Sequence, residues 1–257
     1  MNVLVFDIET VPDVDGARRL FGLEGLPDAD VARAMFHKRR QEAGTEFLRH
    51  HLHRVVAIAA ALRSGDRFTL WSLGEVESPE PDLIQRFFDG IERYTPTLVS
   101  WNGLGFDLPV LHYRALLHGV SAPRYWETGQ DDQSFRWNNY LSRFHYRHTD
   151  LMDVLSAYQG RAAAPLDEIA TLLGLPGKMG MSGAKVWEHV LAGDLAGVRN
   201  YCETDVLNTY LVYLRFELMR GRLDHEGYAR ETRLVRETLA REARPHLEAF
   251  LQAWREE

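Results

Sequence analysis

The sequence predicts an α/β domain, a mixed sheet covered by helices. Three observations carry this. Apolar runs of strand length alternate with stretches whose apolar residues fall at helix spacing. An early hairpin pattern reads "RVVAIAAALR", then Ser64-Gly65-Asp66, then "RFTLWSL". The first run, Val3-Leu4-Val5-Phe6, is apolar on both faces, which places it at the centre of the sheet.

Residues 2–8 predict that central strand. Asp13, Gly16 and the mixed polar residues to about 30 predict a loop, and 29–50 a basic helical stretch. Strands are expected at 54–63 and 67–73. Pro79 and Pro81 open a helix that carries Leu83, Ile84, Phe87, Phe88 and Ile91 at helix spacing. "TLVSWN" (97–102) is a strand ending at Gly103, and 107–119 a helix with Pro109 in its first turn and Gly119 past its end. Residues 121–148 follow no regular pattern and are dense in aromatics, and 149–155 reads as a short strand running into a helix. After "PLDEIATLLG", a Gly/Met/Ser loop (174–184) leads to helices near 184–192 and 195–217. A last helical stretch, about 226–257, is interrupted by Pro245. With no repeat or linker, the expectation is one domain over 1–217 and a helical tail, 218–257, packed on it.

Composition narrows the class. The 257 residues are 45% hydrophobic and 26% charged, as in an ordinary globular protein. The longest apolar run, Val55 to Leu62, is too short to span a bilayer, and no secretion signal opens the chain. Cys202 is the only cysteine, which excludes an internal disulfide and suits a reducing cytoplasm. The net charge of −7 argues against tight duplex binding. Six Lys/Arg and four His nevertheless gather between Arg33 and Arg54, against two acids. A carboxylate-rich site holding cations would also make the formal charge misleading.

Three segments carry candidate chemistry. In "FDIET" the alternation of a strand puts Asp7 and Glu9 on one face, roughly 7 Å apart. In "SWNGLGFDLPVL" two glycines let strand 97–102 turn sharply into the next helix, with Asp107 at the junction. In "YCETDVLNTY" Tyr201 and Asp205 stand at i and i+4 on a helix face that also carries Cys202, Val206 and Thr209, while Glu203 points away and reads as solvated. Each has a plain structural reading as well: a frayed strand end, a helix N-cap, a hydrogen-bonded Tyr–Asp pair on a core helix.

Taken in order, these segments, with "HTDLMDVL" between the last two, resemble the tyrosine branch of the DEDD 3′–5′ exonucleases. The resemblance is closest to the proofreading domain of family B DNA polymerases and to stand-alone bacterial proteins related to it. The histidine branch carries its His five residues before the last Asp, where this chain has Asn200. The resemblance implies a ribonuclease-H-like fold, with a five-stranded mixed sheet, helices on both faces and a C-terminal helical extension. It implies two divalent cations, Mg²⁺ or Mn²⁺, with Asp7 bridging both. Glu9 and Asp205 would complete the site of the ion at the attacking water, Asp107 would serve the second ion, and Tyr201 would orient the nucleophile. Single-stranded DNA or RNA 3′ ends are the implied substrate, with DNA favoured. There is no room for a polymerase, so the protein would act alone or beside a repair or replication partner.

Candidate substrate contacts are Thr10, Asn102 and Phe106 within these segments, Lys178 in the loop before the tyrosine helix, and Trp137 and Arg143 in the aromatic stretch. That stretch interleaves aromatics with arginines, which suits stacking of unpaired bases or, equally, packing on the core. Asp150 and Asp153 read as structural, and Lys185 as a loop residue. His50, His51, His53, His145 and His148 lack the pattern of a zinc site and read as mostly surface or phosphate-contacting. The alternative reading is a catalytically silent or partner-activated nucleic-acid-binding module of the same fold.

Overall fold

A computed structural model describes residues 2–255. The chain runs β1 (Val3–Pro12), α1 (Val14–Phe21), α2 (Asp28–Ala43), β2 (His53–Ser64), β3 (Arg67–Ser72), α3 (Glu80–Tyr94), β4 (Thr97–Ser100), α4 (Asp107–His118), α5 (Pro123–Trp126), β5 (His148–Asp150), α6 (Leu151–Leu155), α7 (Leu166–Leu172), α8 (Val186–Leu191), α9 (Leu195–Met219), α10 (His225–Glu242) and α11 (Pro245–Ala253). The five strands form one sheet in the order β3-β2-β1-β4-β5. β1 is central, antiparallel to β2 and parallel to β4, and β5 is parallel to β4. This is the mixed sheet the sequence predicts, compatible with a ribonuclease-H-like fold.

Strand alternation sorts the core into two layers. Val3, Val5 and Val11 of β1 pack with α7 to α11, whereas Leu4, Phe6 and Ile8 pack with α3, α4 and α5. The α9 side of β2 is Ala57, Ala59 and Ala61, all fully buried. Such small side chains let α9 lie close against the sheet, so polar groups on its inner face reach β1. A smaller cluster joins α1, α2, Leu48 and Leu52.

Three expectations need correction. Residues 14–21 form a helix rather than a loop, because Asp13 accepts the Gly16 N–H at 3.0 Å and caps it. Glu203, expected at the surface, is 3% exposed and buried under the C-terminal helices. It accepts hydrogen bonds from Ser72 Oγ (2.8 Å) and Arg244 Nη1 (2.7 Å) and pairs with His246 Nε2 (2.8 Å). His53 and His148 are core residues, not surface ones: Ser100 Oγ lies 2.8 Å from His148 Nε2. The tail contributes Leu247, Phe250 and Trp254 to the main core, and α9 runs unbroken through the expected boundary at 217.

A buried ion triad ties three elements together. Arg114 on α4 reaches Asp13 Oδ2 at 2.5 Å and Glu80 Oε2 at 2.5 Å, with all three side chains under 10% exposed. Glu80 Oε1 also accepts the Val55 N–H at 2.7 Å, which fixes the start of α3 to β2.

Candidate active site

β1 carries Asp7 and Glu9 on its α9 side, as alternation requires. The pairing with β2 slips by one residue between Glu9 and Thr10, a bulge of the kind that re-aims side chains beside functional sites. Cys202 of α9 donates its thiol to Asp7, 3.4 Å from the backbone oxygen and 3.5 Å from Oδ2. Ligand atoms of Asp7, Glu9 and Cys202 lie within 4.8 Å of one another. Asp205 sits one turn along α9 from Tyr201, and the phenol and the carboxyl interact with one another.

Asp107 arrives from the opposite layer. β4 pairs with β1 only over Val3–Val5, so the Ile8 N–H is left without a strand partner. Asp107 Oδ1 accepts it at 3.1 Å, which brings the first turn of α4 against the free edge of β1. The tight turn from Ser100 to Asp107 makes this placement possible. Asn102 has φ of +63°, and a Cβ on Gly103 would stand 2.3 Å from Ser100 Oγ. Asp150 organises the same turn from β5, accepting the Asn102 and Leu104 N–H groups at 2.9 Å each. It also caps α6 through the Asp153 N–H, which agrees with a structural role.

Four carboxyls thus crowd one place with little positive charge beside them. Burial first, then the neighbouring carboxylates Asp107, Glu9 and Asp205, hold Asp7 well above the usual carboxylate range. Glu9 is raised well above its usual range too, by burial and then by Asp205 and Asp107. Burial pushes Asp107 up to about 7 and Asp205 to about 6. The Tyr201 phenol is driven above its ordinary value by burial and by Asp205, so it remains a donor at neutral pH. Lys178 acts in the other sense, lowering Glu9 and Asp205. Such a cluster is stable as anions only when something positive joins it. Its oxygen-rich donor set fits hard divalent cations, with the Cys202 thiol as a softer atom at the edge.

The remaining candidate contacts divide. Thr10 Oγ1 lies 2.8 Å from His53 Nδ1, and burial pulls the His53 imidazole down to about 4, so the ring is neutral. The Phe106 ring packs edge-on to His53 at 5.1 Å and against Phe47 and His50. Thr10, Asn102 and Phe106 therefore adjoin the carboxylates through Glu9 and Asp107. Trp137 does not. Its stretch packs at the opposite end of the strands, where Tyr140 OH donates to Pro96 O at 2.7 Å and Leu98 N donates to Arg147 O at 2.7 Å. That end is about 13 Å along β1 from Asp7, by the strand rise. Trp137 is 80% exposed there. Arg143 instead pairs with Asp153 at 2.5 Å, beside the Asp150 that holds the Asn102 turn. Cys202 and Asn208 enter the site without having been singled out. The signal for Asn208 was available: an amide three residues beyond Asp205, on the inner side of a core helix.

No helix among the described residues is long and apolar enough to cross a membrane. No curated protein matches the chain. A family described as predicted 3′–5′ exonucleases related to the exonuclease domain of PolB matches residues 45–254. Asp107, Tyr201 and Asp205 fall inside the match. Asp7 and Glu9 precede it and join the same site through the pairing of β1 with β2 and β4. On this match over most of its length, the chain belongs to the family of predicted 3′–5′ exonucleases related to the exonuclease domain of PolB.

Proposed function

We propose that the protein is a metal-dependent 3′–5′ exonuclease of the tyrosine branch, acting on single-stranded DNA in preference to RNA and releasing nucleoside 5′-monophosphates. The observation that carries this is the convergence of Asp7, Glu9, Asp107 and Asp205, from a strand and two helices, into one buried cluster in which burial raises all four carboxyls and the neighbouring charges raise Asp7 and Glu9 further. Such an arrangement costs stability in the metal-free chain and gains purpose as a ligand set.

Two divalent cations, Mg²⁺ or Mn²⁺, would sit between these carboxylates and supply an activated water and charge neutralisation at the phosphate. Asp7, Glu9 and Asp205 would hold the ion that serves the attacking water, and Asp107, with Asp7, would hold the second. Tyr201, protonated at neutral pH, would donate a hydrogen bond that fixes the attacking water or Asp205; it is unsuited to removing a proton. Water would attack the terminal phosphorus, the bond to the 3′-oxygen of the preceding nucleotide would break, and that oxygen would leave with a proton as a new 3′-hydroxyl. Thr10, Asn102 and Phe106 would hold the terminal nucleotide, and Lys178 a phosphate oxygen.

The test is cleavage of 5′-labelled single-stranded DNA and RNA oligomers with Mg²⁺, Mn²⁺ or chelator, beside Asp7→Ala and Asp205→Ala. A metal-dependent ladder shortening from the 3′ end, lost in both variants, is expected. Full activity in Asp205→Ala, or none in the unaltered chain with metal bound, would overturn the proposal.

A further inference from the structure

The loop between α7 and α8 is held to α9 by one side chain. Asn208, 1% exposed, donates from Nδ2 to Gly177 O at 2.9 Å and accepts the Gly177 N–H on Oδ1 at 3.2 Å. Its second Nδ2 hydrogen goes to Thr204 O at 3.1 Å, so both amide N–H groups donate while Oδ1 accepts from Gly177. Asp167 Oδ1 accepts the next N–H, that of Lys178, at 2.6 Å. Gly177 is required at this point: its φ is +63°, and a Cβ would stand 2.6 Å from Asp167 Oδ1. Met179 and Met181 pack on the core just beyond. The backbone is thus fixed on both sides of Lys178, whose side chain is exposed and whose charge acts on Glu9 and Asp205.

We propose that Asn208 is a positioning residue of this site: by clamping the Gly177 peptide it holds the Lys178 ammonium at the mouth of the carboxylate cluster, where it meets a phosphate oxygen of the bound strand. The proposal rests on the exonuclease reading for its substrate, but the placement of the ammonium can be measured without one. Once the carboxyls are ionised, and before substrate arrives, a fixed positive charge beside Glu9 and Asp205 opposes cation binding. Releasing the clamp relieves that opposition, whereas general loosening of the site would weaken the cation. The two explanations of an Asn208 effect therefore differ in sign.

The experiment is a Mn²⁺ titration at low ionic strength, where charge interactions are least screened, repeated at rising pH until the affinity stops changing so that proton competition is removed, with cleavage rates measured in parallel. The proteins are the unaltered chain, Lys178→Ala, Asn208→Ala, and the two combined. Gly177→Ala, which shifts the loop without changing any charge, is the second probe if Asn208→Ala fails to fold. Lys178→Ala is expected to tighten Mn²⁺ roughly fivefold by removing a nearby like charge, and Asn208→Ala to tighten it by less. The double variant should bind no tighter than Lys178→Ala, because Asn208 acts through the lysine. In cleavage, both single variants should raise KM more than they lower kcat. Weaker or unchanged Mn²⁺ binding in Asn208→Ala and Gly177→Ala, or effects that add in the double variant, would overturn the clamp. Absence of cleavage by the unaltered chain would remove the exonuclease reading, while the Mn²⁺ titration would still judge the clamp.

Discussion

Asp107→Asn separates the cost of the carboxylate cluster from its use. Asn keeps an Oδ1 acceptor for the Ile8 N–H, which Asp107 receives at 3.1 Å, so the substitution removes charge and little else. Asp107 is 4% exposed, and burial raises it from 3.8 to about 7. A carboxyl with a raised folded pKa binds its proton more tightly in the folded chain than in the unfolded one. The metal-free protein therefore loses stability as pH rises from about 4 to about 7. At about pH 7.5 the shift amounts to about 4 kcal/mol, and at about pH 5 to roughly 2 kcal/mol. Without metal, Asn should thus gain over Asp by about 2–3 kcal/mol more at the higher pH, or roughly 5–10 °C in Tm for a chain of this size. Thermal melts in chelator at the two pH values measure this, and Mn²⁺ added at the higher pH should raise the Tm of the unaltered chain more than that of the variant. A variant equally shifted at both pH values, or destabilised more at the higher one, would refute the argument.

Tyr201→Phe keeps the buried ring and loses the hydroxyl near Asp205, so cleavage should fall by about 10–100-fold with Tm nearly unchanged. Loss of all activity or of folding would contradict the orienting role. Arg114→Met leaves Asp13 buried without its cation and Glu80 with only His118 and the Val55 N–H, and should cost about 3–5 kcal/mol in urea denaturation; a change within about 1 kcal/mol would show the triad to be dispensable. Burial pushes Glu203 up, but hydrogen bonds from His246 and Ser72 and the charge of Arg244 outweigh it, leaving its pKa below the usual range. Its contribution is therefore present above the ordinary glutamate pKa and lost as pH falls through the lowered folded value. Glu203→Ala should destabilise by about 1–3 kcal/mol near neutral pH and expose the α10–α11 junction near Ala243 to proteolysis. An unchanged digestion pattern would dissociate Glu203 from anchoring that junction.

The strands and their order of use were legible because period-2 and period-3.6 patterns survive without tertiary context. The Asp-x-Glu spacing, the strand–Gly–helix turn and the Tyr-x-x-x-Asp spacing are local as well, so a single strand or helix fixes their geometry. What sequence could not supply was which faces would meet. Glu203 read as solvated because α9 was considered alone; its burial depends on Arg244 and His246, about forty residues later, folding back over it. The aromatic stretch looked equally suited to substrate or core, and only the parallel pairing of β4 and β5 put Tyr140 and Arg147 at the end of the sheet away from Asp7, while Arg143 turns back to Asp153. The Asn208 clamp joins residues 31 positions apart and needs a left-handed Gly177 that no local pattern announces. The sequence by itself determined the candidate carboxylates, because metal-binding chemistry selects residue types at short spacings. Tertiary structure decided their shared burial, their mutual repulsion and the lysine set against them, because burial and charge proximity arise only when distant segments pack.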